Sequence, residues 1–229
     1  MESFKSIASD AAIILRDLGV YEVANGIWAF TDVGIASHGH VHHSRLPVAL
    51  AAYAAVDPTF AAGRFPGYTL ADLVDKVPLM DGAEYAALAR ICRSLPPAYP
   101  SADTRGAIFG TAAWEVVAEF GLEGCFIEVA PYGTQGSHYT MRPRGYDYNA
   151  WEKLPDQLKA MRKSYRAMSP LQQVMVLTLM HLYSQGPDKH FLTGGCPTKI
   201  PASTALSILR QNGDALAKWG KLVTHYAGW

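Results

Sequence analysis

Residues 169–183, SPLQQVMVLTLMHLY, decide the fold class. Ser169 offers a side-chain acceptor where the first backbone N–H groups of a helix lack intrahelical partners. Pro170 follows at the first helical position, where its missing N–H costs nothing and its fixed φ suits the helix. The apolar run behind it predicts a helix through Tyr183.

Helical patterning continues on both sides. A helix is expected from about Ala150 to Met168. After the glycine-rich loop SQGPDKHFLTGGCPTK, another is expected from about Ser203, breaking near Asn212 and Gly213 and resuming to Tyr226. Upstream, residues 3–17 carry Phe4, Ile7, Ala8, Ala11, Ile14 and Leu15 at helical spacing. Pro47 fits the first turn of a helix over Arg45–Val56, and Thr69 caps a short helix through Val77. Asp81 with Glu84 resembles a capping box opening a helix to about Leu95, which PPAYP then breaks. Asp103 caps the next helix, which runs to Phe120 and ends at Gly121.

Residues 122–148 change character, with glycines, prolines and tyrosines around one alternating run at Cys125–Val129. A long loop in a compact domain is commonly a lid or binding segment. This one is expected to cover the functional pocket, with His138 and Tyr139 meeting substrate. The expected architecture is mainly α: one helical-bundle domain over 1–229, with a single irregular loop or short-hairpin excursion near 122–148.

Composition sets the outer limits. The chain has 229 residues, 49% hydrophobic and 17% charged, so it can bury a core and is not disordered. No apolar run has the length of a membrane span, and the N-terminus lacks a signal-peptide pattern. Cys92, Cys125 and Cys196 are far apart without C-x-x-C spacing, which argues against a disulfide framework and against a cysteine zinc site. A reducing cytoplasm is the expected compartment. Net charge is zero, yet residues 1–141 hold eight Lys and Arg against fifteen Asp and Glu, while residues 142–229 hold twelve against five. Two halves of one domain attracting each other account for this more simply than an anionic partner.

The chemistry points to His38, His40, His42 and His43, four of the eight histidines within six residues. Neutral imidazole is the commonest transition-metal ligand in proteins. On a helix, His38 and His42 share a face at i and i+4, whereas His43 and His40 point elsewhere, so one ion would take two or three of the four. Further ligands would come from the C-terminal half. His181 lies among apolar residues and is expected to be buried, whereas His190 stands in a loop. Asp32 and the i, i+4 pair Glu115 and Glu119 are candidate carboxylates for a 2-His-1-carboxylate set, although a solvated face is the simpler reading of the two glutamates. The motifs H-E-x-x-H, G-x-G-x-x-G, the phosphate-binding P-loop and G-x-S-x-G are all missing. Twelve tyrosines and five tryptophans would suit an aromatic ligand pocket.

Three stretches carry a family resemblance: HHSRLPVALAAYAAV (42–56), LARICRSLPPAYPSADTRGAIFGTAAWEV (88–116) and HLYSQGPDKHFLTGGCPTKIPASTALSIL (181–209). They resemble segments of the questin oxidase-like family, helical non-haem iron oxygenases acting on polyketide-derived aromatics. The first is similar to that family's histidine-rich entry into an alanine and leucine helix. The second is similar to its central stretch, where Arg105 stands near a place usually held by histidine. The third is similar to its C-terminal His-Leu-Tyr, later histidine and Thr-Ala-Leu helix. The resemblance implies iron, Fe(II) before Zn, held by His42 or His43, by His181 and by His190. The family's modified lysine has Lys199 as its nearest counterpart.

The sequence thus supports a metal-dependent enzyme, an oxygenase acting on a small hydrophobic or aromatic molecule, without a membrane partner and with a homo-oligomer left open. The alternatives are a nucleic-acid-binding regulator or a non-catalytic helical interaction protein. For the regulator, Ser169–Tyr183 followed by IPASTALSILRQ resembles a helix-turn-helix with Ser203, Thr204 and Arg210 on the reading helix. That helix offers one cation and the turn is too long, so tight nucleic-acid binding is not expected.

Overall fold

The computed structural model describes residues 20–24, 27–30, 69–75, 102–128, 141–147, 149–183 and 191–226. The expected helices over 3–17, 45–56 and 81–95 lie outside the described residues. The described chain is mainly α, with six helices and short antiparallel strand pairs. It divides into two compact units, one of Met1–Tyr99 with Ile200–Thr224, the other of Pro100–Lys199 with His225–Trp229.

In the first unit, β1 (Val20–Ala24) pairs antiparallel with β2 (Ile27–Phe30), from Val20 opposite Phe30 to Ala24 opposite Ile27, with a register irregularity between Glu22 and Ala24. The sequence between the strands is Asn25-Gly26, the dipeptide best suited to a two-residue hairpin turn. Helix α1 (Leu70–Asp75) packs on α5 (Ala202–Gln211), and the remainder of its expected reach to Val77 lies outside the described residues. Thr69 forms a bridge with Pro201, and the Leu70 amide donates to Ile200 O at 2.7 Å. Leu70 and Val74, one turn apart, are both buried. Helix α5 buries Ala202, Ala205, Leu206 and Leu209, a 3.6-residue stripe. The expected break falls at Asn212 and Gly213, where Gly213 takes φ +54° and Asn212 Nδ2 donates to Ile208 O at 2.6 Å. Helix α6 (Ala215–His225) then buries Ala215, Trp219, Leu222 and Val223.

The second unit opens with α2 (Ala102–Glu119), which buries Phe109, Ala112, Ala113, Val116 and Val117. Gly121, at φ +65°, closes it in a Schellman motif: Leu122 N donates to Val117 O at 2.8 Å and Gly121 N to Ala118 O at 3.4 Å. The excursion then begins, and both its ends are fixed. Strand β3 (Phe126–Glu128) pairs antiparallel with β4 (Met141–Pro143), and Leu122, Cys125, Phe126 and Met141 are buried. Residues 129–140, with His138 and Tyr139, lie outside the described residues. Strand β5 (Tyr146–Asp147) pairs with β6 (Glu152–Lys153) through a tip where Asp147 Oδ1 accepts from the Asn149 and Ala150 amides. This second strand pair displaces the start of the helix expected at Ala150, and α3 begins at Pro155 and runs to Ala167.

Helix α4 (Pro170–Tyr183) opens as its sequence predicts. Gln172 N donates to Ser169 Oγ at 3.4 Å while Ser169 N donates to Gln172 Oε1 at 2.9 Å, a reciprocal capping box. The same glutamine donates through Nε2 to Phe120 O at 2.8 Å, so one side chain serves the start of α4 and the end of α2. Every residue from Val174 to Met180 is buried, as expected of a helix apolar on all sides. Thr178, the polar member, returns its hydroxyl to Val174 O at 2.9 Å.

Candidate functional site

Of the five expected metal ligands, only His181 falls among the described residues; His38, His42, His43 and His190 do not, nor does Asp32. His181 occupies the last turn of α4. It is half-buried, not buried as the apolar flanks led us to expect. Its neighbours Met180 and Leu182 take the inward positions, and a helix turns each successive side chain by about 100°. Glu115 and Glu119 are exposed on α2, the solvated face that is the simpler reading of such a pair. Lys199 is exposed, and Arg105, where the family resemblance led to a histidine, is half-buried in the first turn of α2. Among the described residues no three His, Cys, Asp or Glu side chains come together as a metal site requires. The described residues therefore do not assemble a donor set for iron.

What they do assemble is an anchored loop. Residues 191–199, following His190 in the chain, lie along α3. Arg162 Nε donates to Phe191 O at 2.8 Å, Arg166 Nη1 to Gly194 O at 3.2 Å, and the Tyr165 hydroxyl to Pro197 O. Phe191 and Leu192 are buried beneath it, whereas Gly194 and Gly195 adopt φ +67° and +83° and are exposed. The Cys196 thiol donates to Arg162 O at 3.9 Å and accepts from Arg166 Nη1 at 3.6 Å. Cys125 is buried, and that burial pushes its thiol up to about 12, with nearby Cys196 raising it further and Arg144 pulling it back. Tyr165 is pushed up by burial first, then by the Cys196 and Cys125 thiols.

Several chemically distinctive groups escaped the sequence reading. Cys125 and Cys196 were weighed only as a missing disulfide framework and a missing zinc site, and nothing in their 71-residue separation signals that Tyr165 has both as neighbours. His225, isolated in sequence near the end of α6, is buried at 1% exposure. Trp151 stands 78% exposed with φ +59°, a conformation that bulky residues rarely take. Among the described residues no helix is long and apolar enough to cross a membrane. Comparison with protein-family models, curated proteins and solved structures finds no match.

Proposed function

We propose that this chain is a metal-dependent enzyme, a non-haem iron oxygenase acting on a small hydrophobic or aromatic substrate, built as a helical bundle and working in the cytoplasm. The observation that carries the reading is histidine density: four imidazoles between His38 and His43 in a chain that has eight in all. His181 adds a half-buried imidazole at the end of α4, whose residues from Val174 to Met180 are all buried. The ligands in this reading are drawn from His38, His42, His43, His181 and His190, with Fe(II) preferred to Zn. Iron would supply the redox chemistry. The chain's own part is to exclude water with the apolar body of α4 and to meet the substrate with His138 and Tyr139.

The regulator alternative is weakened by two features. Its two helices, α4 and α5, belong to different compact units, and Ser203 on the would-be reading helix is buried. A reading helix must present such side chains to the groove.

The test is metal content of the purified full-length chain, beside a variant carrying His38→Ala, His42→Ala and His43→Ala. Near-stoichiometric iron in the first and its loss in the second are expected. Unchanged, sub-stoichiometric metal in both would end the proposal.

A further inference from the structure

Helix α3 carries its cations on one side, and the proposed iron chemistry uses none of them. Lys159, Arg162, Lys163 and Arg166 fall within an arc of about 100°, since each residue turns a helix by about that angle. Lys159, Lys163 and Arg166 are exposed and Arg162 is half-buried. Asp156, the acid of α3, sits in its first turn, about 15 Å from Arg166 along the axis. That exceeds the roughly 8 Å over which exposed charges act at physiological salt. The loop 191–199 lies along the same helix and brings Lys199. Residues 157–183 and 191–199 together contain five Lys and Arg and not one Asp or Glu.

Two features set one end of this stripe apart. The first is how Arg166 is held. Its Nη1 donates to Gly194 O at 3.2 Å and to Cys196 Sγ at 3.6 Å, a carbonyl and a sulfur instead of a carboxylate. The guanidinium is therefore oriented without being paired. Among the described residues its Nε and Nη2 have no acceptor, which leaves one edge of the planar fork able to take two oxygens of an oxyanion. The second feature is the loop to which Arg166 is pinned. Gly194 and Gly195 are exposed, and a Cβ built on either would meet nothing within 4 Å. Bare glycine backbone lets a ligand approach closely. The last-turn carbonyls of α3 oppose an anion with about half an elementary charge, less than a single one of the cations supplies.

We propose that Arg166, with Lys163 one turn earlier on the same face and the backbone at Gly194 and Gly195, binds the phosphate group of a small phosphorylated molecule. Arg166 takes two phosphate oxygens through its open edge. Lys163 supplies the second positive charge to a group that carries nearly two negative ones at neutral pH. A carboxylate would be satisfied by the fork alone and leave the rest of the stripe unmatched. A nucleic-acid backbone is the poorer fit, because each of its phosphodiesters carries a single charge.

The test is an NMR titration of the isotope-labelled full-length chain with glycerol phosphate and, separately, with inorganic phosphate, at an ionic strength held constant with chloride. The signals followed are the Arg166 Nε–H and the amides of Gly194, Gly195 and Cys196. Saturable shifts of these groups with glycerol phosphate are expected. Arg166→Gln should weaken that binding about tenfold or more, the loss expected for hydrogen bonds to a charged group. Arg166→Lys keeps the charge without the fork and should recover only part of it. Shifts that grow without saturating, that chloride reproduces, or that persist undiminished in Arg166→Gln overturn the proposal. Saturation by inorganic phosphate alone overturns it too, since the site would then take the free ion. So does saturation by a DNA oligonucleotide with no response to glycerol phosphate. Arg166 is exposed, and the wild-type titration stands without either variant.

Discussion

The hydroxyl of Tyr165 donates to the carbonyl oxygen of Pro197, 32 residues further along the chain. It is one of three side chains on a single turn of α3, with Arg162 and Arg166, that hold the loop after His190 by its backbone carbonyls. Loops have few backbone bonds of their own, so such side-chain donors determine how firmly they are held. Tyr165→Phe keeps the buried ring and deletes the donor. It should cost about 1 kcal/mol in urea unfolding and speed amide exchange across 191–199. Unchanged exchange there would show that Arg162 and Arg166 suffice.

Among the glycines whose surroundings are described, Gly145 is the one whose replacement should hurt most. Its φ is +97°, and a Cβ there would lie 2.5 Å from Leu158 Cδ2 and 3.1 Å from Leu158 Cα. Leu158 is itself buried, so it has little room to yield. Gly145→Ala should destabilise by about 2 kcal/mol or more, combining backbone strain with overpacking. Gly213, at φ +54° with open space around it, isolates the strain alone, and Gly213→Ala should cost about 1 kcal/mol. Equal costs at both sites would show that Leu158 moves aside.

The contrast between such positions explains what sequence reading reached. Ser169, Pro170, Gly121 and the Asn212-Gly213 break act locally, through capping and left-handed turns, and each works in the structure as its residue type predicts. The β1–β2 hairpin also had a local signal, Asn25-Gly26 between β-branched and aromatic residues, which the search for helical periodicity passed over. The start of α3 was misplaced because β5 and β6 pair across Trp151, a tertiary choice that helix propensity cannot foresee. The neighbourhood of Cys125, Tyr165 and Cys196 arises only when α3 gathers segments distant in sequence. The histidine cluster was legible as composition alone, because density of imidazoles does not specify which side chains converge.

Trp151 makes a second kind of prediction. Its backbone is left-handed at φ +59° and its side chain is 78% exposed, so strain is not offset by burial. Asparagine tolerates this conformation far better than tryptophan. Trp151→Asn should therefore raise stability by about 1 kcal/mol, seen as a higher melting temperature. A lower melting temperature would mean that the indole packs against something that this geometry does not show.

The two described histidines should separate stability from metal binding. His225 is 1% exposed, so His225→Ala opens a cavity and deletes a buried polar partner, at a cost of about 2 kcal/mol. His181 is half-buried at a helix end, and His181→Ala should cost less than about 1 kcal/mol. Under the proposed function, metal content falls in His181→Ala and holds in His225→Ala, measured on folded protein. The opposite pattern would move the candidate centre from α4 to α6.

Alkaline pH should destabilise the fold through Cys125. Its thiol ordinarily titrates near 9.0, and burial raises it to about 12 in the folded chain. Below the lower value both states hold the proton and the full contribution is present. Between the two values the unfolded state has released its proton while the folded state keeps it. Stability therefore falls as pH rises through that window, approaching about 1.4 kcal/mol per pH unit for one group. Tyr165, also shifted upward by burial, steepens the fall above its ordinary value of 10.0. Cys125→Ala removes the first contribution and leaves other titrating groups in place, so the difference between the two chains isolates it. In urea unfolding, the wild-type advantage should shrink by about 1 kcal/mol between about pH 9 and pH 10. Parallel stability curves for the two chains over that interval would mean that the Cys125 thiol ionises as readily in the folded state as in the unfolded one.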